Sequence, residues 1–152
     1  MSDSIIFNLL EDPTEEWATE YDLDDCFHCN NPWWVDTYWF IEPEDRESYI
    51  DELAAGLPQG YQIDGNEIKI TDECKNYPMQ FKNNLVQLLS HSSKEDWKQQ
   101  SPIGYWKKVV CGIGGIMIWY DCELFTLNEF LLHIADRTPK KLFVGSIFEY
   151  SL

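Results

Sequence analysis

The sequence predicts an α+β fold: one domain over residues 1–152, with a mostly antiparallel sheet and three to four helices packed on it. Three observations point there. Residues 33–41 and 142–150 are dense in aromatic and β-branched types, which fit a pleated surface. Turn-forming residues at Asp64-Gly65 and Gly112 to Gly115 join neighbouring strand candidates, which implies antiparallel hairpins. Strand and helix patterns alternate without regular βαβ spacing, so a parallel doubly wound sheet is not expected.

The elements follow in order. Residues 5–10 read as a short buried strand. Asp12 as N-cap, Pro13 in the first turn and Glu15 three residues after the cap predict a helix running to about Tyr21. Residues 22–32 read as a loop. In the strand at 33–41, period two sets Trp33, Val35, Thr37, Trp39 and Ile41 on one face and Trp34, Asp36, Tyr38 and Phe40 on the other. Trp33 and Trp39 are expected in the core, Trp34 and Tyr38 on an exposed face beside Asp36. Pro43 opens a second helix and Gly56 with Pro58 closes it; Tyr49, Ile50, Leu53 and Ala54 make its core stripe.

Residues 61–71 read as a hairpin around Asp64-Gly65. After Pro78, Phe81, Leu85, Leu88 and Leu89 fall at i, i+4, i+7 and i+8 of a helix. A short helical piece is expected at 94–99. Residues 105–110 and 116–120 read as strands joined by the glycine turn. Thr126 and Glu129 form a capping box, and the helix behind it carries Leu127, Phe130, Leu131, Ile134 and Ala135 on one face until Pro139 stops it. Residues 142–150 are the closing strand.

Charge divides the chain unevenly. Residues 1–52 hold 16 acids against one base, Arg46, a net −15, whereas residues 53–152 hold 11 acids and 10 bases. Crowded like charges oppose compaction, so the imbalance implies a basic partner. A pI near 4.3 argues against direct binding of nucleic acid or an anionic membrane surface. The hydrophobic fraction of 44% with 15% aromatics is too rich for a disordered acidic tail. The start shows no basic region ahead of its short apolar run, and no stretch approaches a membrane span; with five cysteines, an odd count, a cytoplasmic protein with reduced thiols is expected.

Catalytic patterns fail on inspection. Cys26 and Cys29 around His28 have zinc or redox spacing, but no second ligand pair follows, and nearby carboxylates would raise rather than lower a thiol pKa. Incidental thiols are the favoured reading, a metal module the alternative. The glycines at 112, 114 and 115 lack the third glycine of a dinucleotide fingerprint, which would fall at Met117, and lack a Walker lysine. His133 lies four residues after Glu129, an ordinary surface pair. No cofactor, metal or enzymatic activity is expected.

The acidic segment is the feature left unexplained. Glu44, Glu47 and Asp51 share one face of the second helix, opposite Tyr49, Ile50 and Leu53, and like-charge neighbours at that spacing cost roughly 0.2–0.5 kcal/mol each. Arg46 is the only nearby base. Asp22, Asp24 and Asp25 form a second knot, and Asp36 interrupts an aromatic strand. Trp34 and Tyr38 are the expected anchors among them, since such residues dominate interface hot spots.

Small, acidic, aromatic-rich and without catalytic machinery, the chain resembles in overall character the immunity proteins of bacterial toxin–immunity pairs, including those of contact-dependent growth inhibition. That resemblance implies a stoichiometric inhibitor whose partner is a basic toxin, commonly a nuclease. Asp22, Asp24, Asp25, Asp36, Glu44, Glu47 and Asp51 would meet its cations, with Trp34 and Tyr38 as desolvated contacts. The alternative is a DNA mimic that inhibits a nucleic-acid-binding protein, which needs carboxylates in two long rows.

Overall fold

The structure, a computed structural model, describes residues 4–19, 21–22, 37–91, 93–99, 115–137 and 139–151. Seven strands build one sheet: β1 (Ser4–Leu10), β2 (Thr37–Phe40), β3 (Tyr61–Asp64), β4 (Glu67–Ile70), β5 (Ile116–Tyr120), β6 (Glu123–Thr126) and β7 (Lys141–Ser151). The order is β3-β4-β7-β1-β5-β6, with β2 also on β7. Every pairing is antiparallel except β1 with β5. The helices are α1 (Arg46–Gly56), α2 (Tyr77–His91), α3 (Lys94–Gln99) and α4 (Leu127–Ile134), with a 3₁₀ turn at Asp72–Asn76. This is the expected α+β architecture.

β7 organises the sheet. One of its edges pairs along β1, while the other serves two strands in succession, β4 at residues 141–143 and β2 at residues 148–151. Apolar residues on both of its faces permit this central position: Leu142, Val144, Ile147 and Phe148 are all buried. On one face, Ile5, Phe7 and Leu9 of β1 and Ile118 of β5 pack with Ile50 and Leu53 of α1, Tyr77 of α2, and Phe130, Leu131 and Ile134 of α4. Each large side chain buried there stabilises the fold by about 1.5–3 kcal/mol. The opposite face carries a smaller cluster of Ile6, Trp119, Phe148 and Tyr150, with Ala18 against it.

The helix expected from Asp12 to about Tyr21 does not form. The Asp12 carboxylate accepts both the Thr14 backbone N–H (2.8 Å) and the Thr14 hydroxyl (2.7 Å), which closes a local turn instead of capping a helix. The chain then runs without regular structure through residues 16–19 and is strapped to the sheet. The Ala18 N–H donates to Asn8 Oδ1 (2.9 Å), and the Ser146 hydroxyl donates to the Ala18 carbonyl (2.7 Å). These contacts sit on a β-bulge. Phe7 pairs with Ile147 and Leu9 with Val144, so Gly145 and Ser146 together oppose Asn8. A Cβ at position 145 would stand 2.7 Å from Asn8 Oδ1, so a side chain there would displace the Asn8 amide that holds Ala18.

Other expectations shift. Trp39 is 42% exposed, not core, because β2 lies at the margin of the sheet and its Thr37/Trp39 register faces Ser151 and Glu149. Phe40, on the alternate face, keeps 40% of its surface while its ring packs edge-on against Phe148 at 4.4 Å. Ala54 is exposed, as is Leu88 at 51%. The first hairpin turns at Gly65-Asn66, one residue later than expected, with glycine at positive φ in the first central position. β6 was not anticipated: β5 turns into it through Asp121 and Cys122, at φ 50° and 61°. Trp33 and the strand expected at 105–110 lie outside the described residues.

Candidate functional site

Residues 42–52 contain six carboxylates, Glu42, Glu44, Asp45, Glu47, Asp51 and Glu52, and all six are exposed. They occupy the turn before α1 and the solvent side of α1 itself, because Ile50 and Leu53 turn the other side into the core. The only base among them, Arg46, points inward. Its Nη1 donates to the Gly145 carbonyl (2.7 Å), and its Nη2 donates to Asn66 Oδ1 (2.9 Å) and the Val144 carbonyl (3.2 Å). Its guanidinium also lies 4.6 Å from the centre of the Trp17 ring, in cation–π contact.

The reason lies in β7. Between the reach of β4 and that of β2, the carbonyls of Val144 and Gly145 have no strand opposite them, and buried backbone acceptors need donors. Arg46 supplies them. Partial burial lowers its pKa, yet a guanidinium stays charged in a protein. The base expected to relieve the acids of α1 is thus committed to the sheet. Among the described residues the ion pairs are Lys75–Asp72, Lys98–Glu95 and Lys141–Glu67, and none reaches an acid of the amino-terminal third.

α1 is also poorly optimised as a helix. Asp45 stands at the N-cap without a side-chain capping bond, and no base lies in the last turn to meet the dipole. Tyr49 ties it down laterally: its hydroxyl donates to Glu149 Oε2 at 2.8 Å. That bond, then burial, then the charge of Glu149, push the Tyr49 pKa up to about 12.

Beside α1 runs an open groove of about 420 Å³. Glu47 and Asp51 form one wall beside Pro43 and Arg46; Ile50, Ala54 and Ile63 supply apolar surface; Gly65 and Asn66 of the β3–β4 turn close the far side. A second, smaller hollow of about 140 Å³ is lined by Glu11, Glu15, Tyr120 and Asp121, with the Tyr120 hydroxyl donating to Glu11. Burial and that carboxylate push the Tyr120 pKa upward.

Glu47 and Asp51 are exposed on α1 and both line the groove, whereas Glu44, expected on the same helix face, is exposed in the turn before α1 begins at Arg46. Asp22 is exposed but locally engaged, accepting the Thr19 N–H (2.8 Å) and hydroxyl (2.7 Å); these bonds hold its carboxyl below the usual range. Tyr38 sits in β2 opposite Tyr150. Asp24, Asp25, Trp34 and Asp36 lie outside the described residues, as do Cys26, His28 and Cys29. Glu42, Asp45 and Glu52 add to the exposed carboxylates of this region, Glu52 on α1 and the other two ahead of it. Ile63 was not, because it reaches the groove only through the packing of the hairpin.

No protein-family model matches the chain, no curated protein matches it, and no solved structure matches it. Among the described residues, no helix is long and apolar enough to cross a membrane.

Proposed function

We propose that this protein is a stoichiometric inhibitor, an immunity protein of a bacterial toxin–immunity pair, acting in the cytoplasm on a basic toxin, a nuclease in the favoured case. The observation that carries this reading is the set of six exposed carboxylates at residues 42–52 whose only local base is turned into the sheet. Such an arrangement lowers helix stability and projects a concentrated negative field, which suits docking to a cationic surface. Occupying a basic cleft excludes the nucleic acid that the cleft would hold, and steering raises association rates toward about 10⁸–10⁹ M⁻¹s⁻¹ at low salt. The reading needs no catalytic group in this chain.

The test is charge reversal at exposed positions. Glu47→Lys with Asp51→Lys is expected to slow association with the cognate basic toxin by about tenfold or more and to flatten its salt dependence. Thermal stability should stay within about 0.5 kcal/mol, since neither side chain is buried. Unchanged association overturns the reading. Competition by duplex DNA for many unrelated DNA-binding proteins would favour the mimic instead.

A further inference from the structure

The β3 strand ends the sheet, and among the described residues no strand lies on its outer side. The hairpin register decides which backbone groups face that side. Asp64 and Glu67 flank a two-residue turn, so they exchange the first pair of ladder bonds, and Gln62 with Lys69 exchange the next. Tyr61 and Ile63 therefore direct their N–H and C=O groups away from β4. The Ile63 side chain lines the groove against α1, facing Ile50 and Ala54, with Glu47 and Asp51 on the helix wall. A free strand edge, an apolar floor and an anionic wall thus run side by side.

We propose that this edge receives an extended, cationic segment of the partner protein as an eighth strand, antiparallel or parallel to β3. Backbone bonds to Tyr61 and Ile63 would hold the segment, and alternate side chains would enter the groove. Its apolar groups rest on Ile50, Ala54 and Ile63, and its arginines or lysines pair with Glu47 and Asp51. Charge complementarity selects this occupant: Arg46 also lines the groove, but its guanidinium is turned to the Gly145 and Val144 carbonyls, so an acidic or neutral strand would gain the same backbone bonds while leaving the carboxylates of Glu47 and Asp51 unpaired. Gln62 and Asp64, exposed on the same short strand, give it polar surface that discourages pairing with a second copy of the chain. The proposal rests on the acidic-docking reading and adds strand addition to it.

The experiment uses the full chain, isotopically labelled, titrated with a short end-blocked peptide of repeating Val-Thr-Arg-Thr, whose alternate positions place valine and arginine in turn on one face. The same peptide with glutamate in place of arginine is the comparison. The expected result is amide shift changes confined to residues 46–54 and 61–66, with exchange of the Tyr61 and Ile63 amides slowed about tenfold. The glutamate peptide should produce neither. Ile63→Pro, which removes an outward N–H that an edge strand can lose, should abolish the effect; the exchange readout on the unsubstituted chain stands if that variant fails to fold. Cationic-peptide binding on α1 with Tyr61 and Ile63 exchange unchanged overturns strand addition but leaves the docking reading intact. No response at α1 or β3 overturns both.

Discussion

α1 and α4 lie on the same face of the same sheet, and they are built for different ends. α4 begins with a complete capping box: the Thr126 side chain accepts from the Glu129 N–H and the Glu129 side chain accepts from the Thr126 N–H, both at 3.2 Å. It buries Phe130, Leu131 and Ile134. Even His133, outside the apolar stripe, stacks on Phe125 at 5.0 Å rather than pairing with Glu129. α1 is longer, yet it buries only Ile50 and Leu53, lacks a side-chain cap and crowds its exposed side with carboxylates. The difference teaches that α4 is held by the interior, whereas α1 leaves most of its surface, and its carboxylates, to solvent.

Five substitutions break or sharpen that contrast. The largest effect belongs to α4: Phe130→Ala should destabilise by about 3–5 kcal/mol in a denaturant titration, because it opens a cavity in the main core. Next comes Arg46→Met, expected to cost about 1.5–3 kcal/mol by leaving the Val144 and Gly145 carbonyls without their charged donor. A loss near zero there would mean that α1 is not locked to the sheet through its base. Third, Thr126→Ala should cost about 1 kcal/mol, whereas Asp45→Ala, which removes no capping bond, should change stability far less. Equal losses would erase the distinction between the two helices.

The smallest effect appears only in alkali. The folded-state pKa of Tyr49 is raised from 10 to about 12, so its hydrogen bond to Glu149 contributes fully below pH 10 and is lost as pH climbs through about 12. Tyr49→Phe should remove that part of the alkaline decline. An identical pH profile for both proteins would show that this contact does not hold α1.

Much of this was legible in the sequence, for physical reasons that differ by element. α4 was readable because its cap and its stripe are local. The closing strand and the β3–β4 hairpin were readable because residue type and turn chemistry agree. The Asp12 signal misled because a side-chain oxygen that caps a helix also closes a turn, and the bond from the Ala18 N–H to Asn8 with that from the Ser146 hydroxyl to the Ala18 carbonyl favour the turn. Trp39 misled because alternation reveals that a strand has two faces without revealing which is covered. β6 was hidden because Asp121 and Cys122 reach positive φ without glycine. In the candidate site, the placing of Glu47 and Asp51 on one helix wall followed from their four-residue spacing, whereas Glu44 stands in the turn before the helix. The diversion of Arg46 did not, since the carbonyls that claim it belong to β7, far along the chain.

The placement of β7 has a consequence for how the molecule comes into being. The strand that touches β1, β2 and β4 is the one synthesised after all of them. While the ribosome is still translating the middle of the chain, the amino-terminal strand has neither of its two neighbours and its apolar residues have nowhere to go. Folding is therefore gated by synthesis reaching Ser151, its rate set by long loop closures. Until that moment a nascent chain exposes its acidic third before the central strand that anchors Arg46 and β2 has been made.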